Sequence, residues 1–356
     1  LVVVFISGVF FILITAVGLR EAIIRSIPDA VKMAITPGIG LFITIIGLKN
    51  SGLVVGNSAT LVSMVDFAQW RMEEGNIQLI CGALVALIGL IVIGVLYARN
   101  VKGAILYGIV AATVAGIPLG VTKLSAFDMN IGAKFHDFAE ISFLKMDFAG
   151  LFAGENAIST FLTVFMLVLS FSLVNMFDSI GTLMGAAKQS GMIDQDGEII
   201  HMKEALMSDA ISTAAGAMVG TSTVTTVVES SAGIAAGGRT GMTSLVTAVL
   251  FLGAIIFAPV VGIVPGAATA PALIFVGILM LSNIKDVDFS DMSNALPAFC
   301  TVVFMPFTYS IANGVAVGLI MYCVIKLFTG KASDIKVLTW MISIVFILRY
   351  AFMTLG

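Results

Sequence analysis

Three carboxylates stand within largely apolar stretches of the sequence, Asp178, Asp209 and Glu229. A charged side chain at the centre of a bilayer costs about 2.5–3.5 kcal/mol on insertion scales, so such residues mark functional sites. Asn175, Asp178 and Thr182 are spaced i, i+3 and i+7, which places them on one face of a helix. This spacing predicts either the wall of a polar cavity or a hydrogen-bonded contact between helices.

Glu229 follows a hydroxyl-rich strip, TSTVTTVV, between two short apolar segments. Irregular backbone at membrane depth must line a cavity or be buried in protein, and the free amides at a helix start point at a ligand. The strip therefore predicts extended residues at 221–226 between two short helices that end near mid-membrane. The alternative is that the hydroxyls are contacts between helices, which does not explain Glu229. Asp209, one or two turns into its segment, could equally lie at the membrane interface.

Together these residues predict a site of acids and neutral hydrogen-bonding groups without a buried base. Such a site suits a neutral, N–H-rich solute and a proton, and it repels anions. The cysteines (Cys81, Cys300 and Cys323) are far apart in sequence, and the two histidines fall in predicted loops. No metal site and no catalytic residue is therefore expected. An intramembrane enzyme is disfavoured because no His or Cys lies near Ser222 or Ser230 in the sequence.

The composition indicates the elements that must position these residues. The chain has 356 residues, of which 59% are hydrophobic and 11% charged, with a mean hydropathy of +1.10. Soluble domains carry about 25% charged residues, so the chain is predicted to be an all-α polytopic membrane protein. Apolar segments are predicted near 2–19, 33–48, 77–98, 103–120, 159–187, 203–219, 224–237, 242–261, 266–282, 294–308, 312–328 and 336–354.

Several of these segments are shorter than the ~20 residues that span a bilayer, which is typical of the broken helices of transporters. With residue 1 outside and each segment crossing once, the inner loops receive most of the basic residues, Arg20 among them. The stretches YARNVKGAILYG (97–108) and YSIANGVAVGLI (309–320) are weakly alike. This likeness favours an inverted repeat.

The segments NMFDSIGTLMG, GTSTVTTVVESSAGIAAGGRTGMTS and MPFTYSIANGVAVGL resemble signatures of the nucleobase:cation symporter-2 superfamily. More narrowly they resemble its AzgA-like purine permeases, which carry hypoxanthine/guanine or adenine with protons, and the likeness covers essentially the whole chain. The resemblance implies a uracil-permease-like fold of two inverted sevens of helices, with short strands in broken helices. The chain would lack the first three helices. The core domain would be about 1–30 and 157–262, the gate domain about 31–120 and 263–328, and 336–354 an extra C-terminal helix.

The resemblance also implies roles for residues. Asp178 matches the family's eighth-helix acid, Asp209 a ninth-helix carboxylate, and Glu229 the tenth-helix acid that pairs with the N–H groups of the base. The chain departs from many relatives at Asn175, where they have an acid, and at Val227, where they have an aromatic residue. The substrate-binding residues implied are Asp178, Glu229, Asn175, Thr182, Ser222, Thr225, Val228 and Ser230, and those for proton coupling are Asp178 and Asp209.

The function expected is proton-coupled uptake of purine nucleobases across the cell membrane by alternating access. The alternative is a transporter of the same fold for another solute, either uracil or xanthine or an anion. The proton is the coupling ion, and no other cofactor is expected. The partners expected are a purine nucleobase and the lipid bilayer, with no nucleic acid, and the relatives suggest a homodimer.

Overall fold

The computed structural model describes residues 1–68, 74–124, 136, 138–151, 157–194, 199–227, 230–235, 237–257 and 262–353. Within these residues most of the chain is helical. Helices α1 to α14 are, in order, Val2–Ala16, Leu19–Ser26, Asp29–Asn50, Glu74–Ala98, Ala104–Gly116, Phe148–Leu151, Ala157–Ser190, Met202–Val219, Ser230–Ala235, Gly241–Ala254, Gly266–Leu281, Met292–Phe307, Ile311–Phe328 and Val337–Met353.

Shorter elements lie between these helices. Strands β1 (Val54–Asn57) and β2 (Leu61–Met64) form an antiparallel hairpin. A π-helix spans Phe138–Ser142, and 3₁₀-helices span Ser282–Asp286 and Ala332–Asp334. The side chain of Asn57 accepts hydrogen bonds from the backbone amides of Ala59 and Thr60, which closes the hairpin turn. The sequence did not predict this hairpin.

Several helices are long and apolar enough to cross a membrane. In the described part of the chain four single helices meet this criterion: Asp29–Asn50, Ile77–Ala98, Gly266–Asp286 and Ile311–Phe328. Helices α1 and α2 meet it only as a pair, and they are bent by 83° with respect to each other. The bend occurs at Gly18, whose φ of +78° suits a residue without a side chain. The prediction of an all-α, multi-pass membrane fold is confirmed.

The predicted apolar segments coincide closely with the helices, apart from the segment at 224–237. Of the residues described in that segment, only Ser230–Ala235 are helical. Polar side chains mark the starts of two of these helices. Asp291 accepts a hydrogen bond from the amide of Ser293 at the start of α12, and Ser310 accepts one from the amide of Asn313 at the start of α13. Side-chain caps of this kind satisfy amides that have no partner within the helix.

The chain divides into two compact units. One comprises Leu1–Gly38, Gly132–Thr243 and Ile284–Gly356, and the other Ile39–Ile131 and Ser244–Asn283. The core and gate domains implied by the resemblance are defined by movement during transport, and their boundaries stay a prediction. In the second unit α4, α5 and α11 pack through the buried residues Val85, Ala112, Ala267 and Ala268.

The first unit contains a tightly packed group of helices, α1, α7 and α8. A Cβ atom added to Gly8 of α1 would lie 2.7 Å from the backbone nitrogen and 2.8 Å from the Cα of Ala214 on α8. The two backbones are therefore in direct contact, as small residues allow between membrane helices. On another side of α1, the hydroxyls of Ser7 and Ser172 form a hydrogen bond of 2.8 Å, which connects α1 to α7.

Candidate functional site

The helices α1, α2, α7 and α8 bury a set of polar side chains between them, which we call the polar seam. Its α7 members are three or four residues apart along the helix, so they lie on one face and meet the neighbouring helices together. Polar groups inside a membrane protein are rare and mark structural contacts or transport sites. The buried members of the seam are Ser7, Arg20, Ser172, Asn175, Ser179, Thr182, Asp209 and Thr213.

Asn175 is the seam member in which both polar side-chain atoms are buried without a hydrogen bond, whereas Arg20 leaves only its Nε without one, as far as the described residues show. Its side chain is buried, and neither Oδ1 nor Nδ2 has a hydrogen-bond partner among the residues that the structure describes. An amide in this situation carries a free-energy cost of about 1–3 kcal/mol, so native structures keep few of them. One donor nitrogen and one acceptor oxygen are thus available on the α7 face that the sequence predicted to be functional.

Asp209 has the opposite environment. Its Oδ2 lies 2.7 Å from Nη2 of Arg20, and the two side chains are 1% and 0% exposed. The hydroxyl of Ser179 lies 3.0 Å from Oδ1 and 2.9 Å from Oδ2, and it donates to this carboxylate. Asp209 is therefore buried in an ion pair, and the prediction of a site without a buried base is wrong.

Arg20 is the residue that the sequence analysis misplaced. It was assigned to an inner loop, but it is fully buried in α2. Its Nη1 donates to the carbonyl of Leu206 at 3.0 Å, and its guanidinium lies 4.5 Å from the centroid of the Phe11 ring. The error arose because other charged residues surround it in sequence. The spacing of Arg20 and Ile24, which lie one turn apart on α2 and are both buried, was the signal that could have located it.

The hydroxyl-rich strip does interrupt the helix, as the sequence predicted. Helix α8 ends at Val219, and residues 221–227 are not helical. The backbone turns at Gly220, with φ of +98°. The amide of Thr221 then donates to Gly216 at 2.9 Å, and the hydroxyl of Thr213 donates to the carbonyl of Val224 at 2.9 Å. Residues 221–227 form no strand, and the two hydrogen bonds above join them to α8.

The structure brings some of the predicted site residues together and leaves others apart. Asn175 and Thr182 lie in the seam, where Thr182 donates to the carbonyl of Ser179 at 3.1 Å. Ser222 and Ser230 are exposed, and Thr225 is half-buried. Val228, Glu229 and the side chain of Asp178 lie outside the described residues. Helix α9, which begins directly after Glu229, contacts α7, so the two helical regions predicted to carry the acids are neighbours.

Ser179 and the Ser7–Ser172 pair are further polar contacts that the sequence analysis did not identify. Ser179 lies next to Asp178 in sequence, and it shares a helix face with Asn175 and Thr182. Extending the i, i+3, i+7 pattern by one position would have found it. Among the residues that the structure describes, no group of three or more His, Cys, Asp or Glu side chains could hold a metal ion.

Apolar helices that enclose polar side chains, together with a helix broken at a hydroxyl-rich strip, define a multi-pass membrane transporter. The family model described as the permease family matches residues 1–342, so the chain belongs to this family. This confirms the resemblance to nucleobase permeases that the signature segments indicated. The protein is therefore a membrane permease and not an enzyme.

Several known sequences are similar over nearly the whole chain. A sequence of Methanocaldococcus jannaschii is 42% identical over 351 residues, which are 99% of this chain and 75% of the relative. Adenine permease AdeQ of Escherichia coli is 38% identical over 348 residues, 97% of this chain and 72% of the relative. Guanine/hypoxanthine permease PbuG of Bacillus subtilis is 36% identical over 350 residues, 98% of this chain and 74% of the relative.

Proposed function

We infer that the protein takes up purine nucleobases together with protons, by alternating access across the cell membrane. The names of two relatives, an adenine permease and a guanine/hypoxanthine permease, support a purine as the solute. Neither relative is similar enough to choose between adenine and the oxopurines. The substrate class is therefore proposed as a purine base, without its identity.

The observation that carries this proposal is the buried amide of Asn175, which has no partner among the described residues. A primary amide offers a donor and an acceptor side by side. Purines present matching adjacent groups on their edges, and an Asn side chain is the usual bidentate partner of the adenine N6 and N7 atoms. A neutral base of this kind would satisfy both atoms of Asn175 at once.

The acids supply the remaining functions in the proposal. In sequence, Glu229 follows the non-helical residues 221–227. A carboxylate at this position can accept hydrogen bonds from two N–H groups of a base. Such charge-assisted bonds contribute about 1.5–3 kcal/mol each. Asp178 stands three residues from Asn175, one turn along α7, and it would carry the proton. The half-buried Thr225 and the exposed Ser222 and Ser230 would line the route to the base.

The buried cation Arg20 is the feature that would favour the alternative solute, an anion. Its charge is already compensated, because Asp209 lies 2.7 Å away and both side chains are buried. The pair leaves no net positive charge to attract an anion, so the neutral solute is favoured.

Uptake of labelled adenine, hypoxanthine, guanine, uracil and sulfate tests the proposal, in cells that lack purine permeases and express the full-length protein. We expect saturable uptake of at least one purine, which the other purines inhibit more strongly than uracil does. Collapse of the pH gradient should abolish accumulation above the external concentration. Uptake of sulfate, or competition by sulfate as strong as that by purines, would exclude the proposal.

The variant Asp178→Asn tests the proton carrier. We expect it to bind purine and to exchange labelled for unlabelled base, but to lose accumulation driven by a pH gradient. Asp288→Asn is the matched control, because Asp288 is an exposed loop residue whose carboxylate accepts hydrogen bonds from nearby Ser290. Accumulation by Asp178→Asn at the wild-type rate would remove Asp178 from the proton pathway.

A further inference from the structure

The buried ion pair points to a different role for Asp209 from the one that the family resemblance implies. We propose that Arg20 keeps Asp209 charged throughout the transport cycle, and that the pair positions α7 instead of carrying a proton. Arg20 and Ser179 are then positioning residues. The proposal rests on proton-coupled purine transport as the function, and it assigns the moving proton to Asp178 alone.

The geometry around Asp209 leaves little room for a proton. Arg20 donates to Oδ2 at 2.7 Å, and the Ser179 hydroxyl is within hydrogen-bond distance of both oxygens. The carboxylate is 1% exposed, so water does not reach it in this conformation. A proton carrier must exchange its proton with water on each side of the membrane in turn. Asp209 as observed is closed to such exchange.

The charges facing Asp209 also oppose its neutralisation. Helix α2 contributes the guanidinium of Arg20, α1 contains no ionisable residue, and α7 contributes the neutral hydroxyl of Ser179, which Asp178 precedes in sequence. Protonation of Asp209 would leave the buried guanidinium of Arg20 without a counter-charge. Removing one partner of a buried pair is strongly unfavourable, whereas removing both together often is not. The pair is therefore expected to persist as a unit.

The same contacts connect α2 and α8 to α7. Arg20 also donates to the carbonyl of Leu206, so one guanidinium holds two points on α8. Through Asp209 this anchor reaches Ser179, which lies about one helical turn from both Asn175 and Thr182. A shift of the pair would rotate or translate the α7 face that carries the unpartnered amide. This is how two residues that need not touch the base can set its binding.

Helix α2 is itself fixed at its other end. The ammonium of Lys336 donates to the carbonyl of Arg25 at 2.5 Å, and the hydroxyl of Thr339 donates to the carbonyl of Ser26 at 2.6 Å. Lys336 directly precedes α14, and Thr339 lies in its first turn. They satisfy carbonyls that have no partner within a helix, because α2 ends there. Arg20 thus extends from a short helix that is anchored on both sides of it.

A set of variants at the pair tests the proposal: Arg20→Met, Asp209→Leu, and the two combined. We expect each single substitution to lower the amount of folded protein and the transport rate by at least about tenfold, because it leaves a lone buried charge. The combined variant should recover the amount of folded protein to within about threefold of wild type, while its KM for purine should be raised about three- to tenfold because Ser179 has lost its acceptor. It should also keep accumulation driven by a pH gradient, with an unchanged pH profile.

Two outcomes would overturn the proposal. If the combined variant exchanges purine but no longer accumulates it under a pH gradient, Asp209 carries the proton. A second combined variant, Arg20→Gln with Asp209→Asn, retains hydrogen-bonding groups at both positions. If neither combined variant unfolds at a higher temperature than the single variants, Arg20 and Asp209 are not a structural unit. The unfolding series needs no substrate, so it remains decisive even if the wild-type protein fails to transport purines and the proposed function is wrong.

Ser179→Ala separates positioning from general stability. It removes the hydroxyl donor and retains both charges. We expect a folded protein with a KM for purine raised about three- to tenfold, as expected for one lost hydrogen bond, and with an unchanged pH profile. An unchanged KM would show that the contact does not position the α7 face, and a shifted pH profile would show that Asp209 titrates during transport. Either result contradicts the proposal.

Discussion

Replacement of Asn175 by Leu should make the protein more stable and a poorer transporter. The amide is buried, and both of its polar atoms are without partners in the described part of the chain. An unpaired buried amide costs about 1–3 kcal/mol, and Leu has nearly the same size without the polar atoms. We therefore expect Asn175→Leu to raise the free energy of unfolding of the substrate-free protein by about 1–3 kcal/mol.

The effect on binding should have the opposite sign. Two hydrogen bonds between the amide and a base contribute about 1–3 kcal/mol in total, and the base would leave its own groups unpaired against Leu. Since about 1.4 kcal/mol corresponds to a tenfold change in Kd, purine affinity should fall roughly 10- to 100-fold. Uptake at low purine concentration should fall by the same factor.

Thermal unfolding of the purified protein, with and without added adenine or hypoxanthine, measures both effects in one experiment. Asn313→Leu is the matched control, because the Tyr350 hydroxyl donates to Oδ1 of Asn313 at 3.0 Å. We expect this control to lose stability and to keep its purine affinity. If Asn175→Leu were destabilised, or if it bound purines as tightly as wild type, the amide would not be a group that the substrate satisfies.

Three further predictions concern the non-helical residues that follow α8 and the helices beside them. Glu229→Gln should weaken purine binding at least about tenfold, because one acceptor becomes a donor; unchanged affinity in a competition assay would remove Glu229 from the site. Thr213→Val removes the hydroxyl that donates to the carbonyl of Val224 at 2.9 Å. The free energy of unfolding should fall by about 0.5–1.5 kcal/mol, and the KM for purine should rise. An unchanged KM would mean that the non-helical residues 221–227 do not position the base. Gly8→Ala should destabilise the protein by about 1–3 kcal/mol through overpacking, since the new Cβ would lie 2.7 Å from the backbone of Ala214. The control Gly94→Ala should be tolerated, because its Cβ would meet nothing within 4 Å. Equal melting temperatures for these two variants would contradict the close packing of α1 on α8.

The sequence alone determined the class of fold and the positions of most helices. The segment 77–98 became Glu74–Ala98, and 203–219 became Met202–Val219. Both depend on the summed hydropathy of neighbouring residues, which is a local property that can be read along the chain. The end of α8 at Gly220 was also local, since glycine and a β-branched, hydroxyl-rich run disfavour continuation of a helix. The permease family followed from contiguous signature segments for the same reason.

Only the tertiary structure decided which polar groups have partners. Arg20 and Asp209 are 189 positions apart in sequence, and nothing near either residue indicates the other. Asn175 and Ser179 lie one turn apart on the same helix face, yet among the described residues Asn175 finds no partner and Ser179 bonds to Asp209. The local pattern gives the direction of each side chain from its own helix. The group it meets depends on the packing of α1, α2 and α8 against α7, and that packing is set by contacts between distant parts of the chain, such as Gly8 against Ala214.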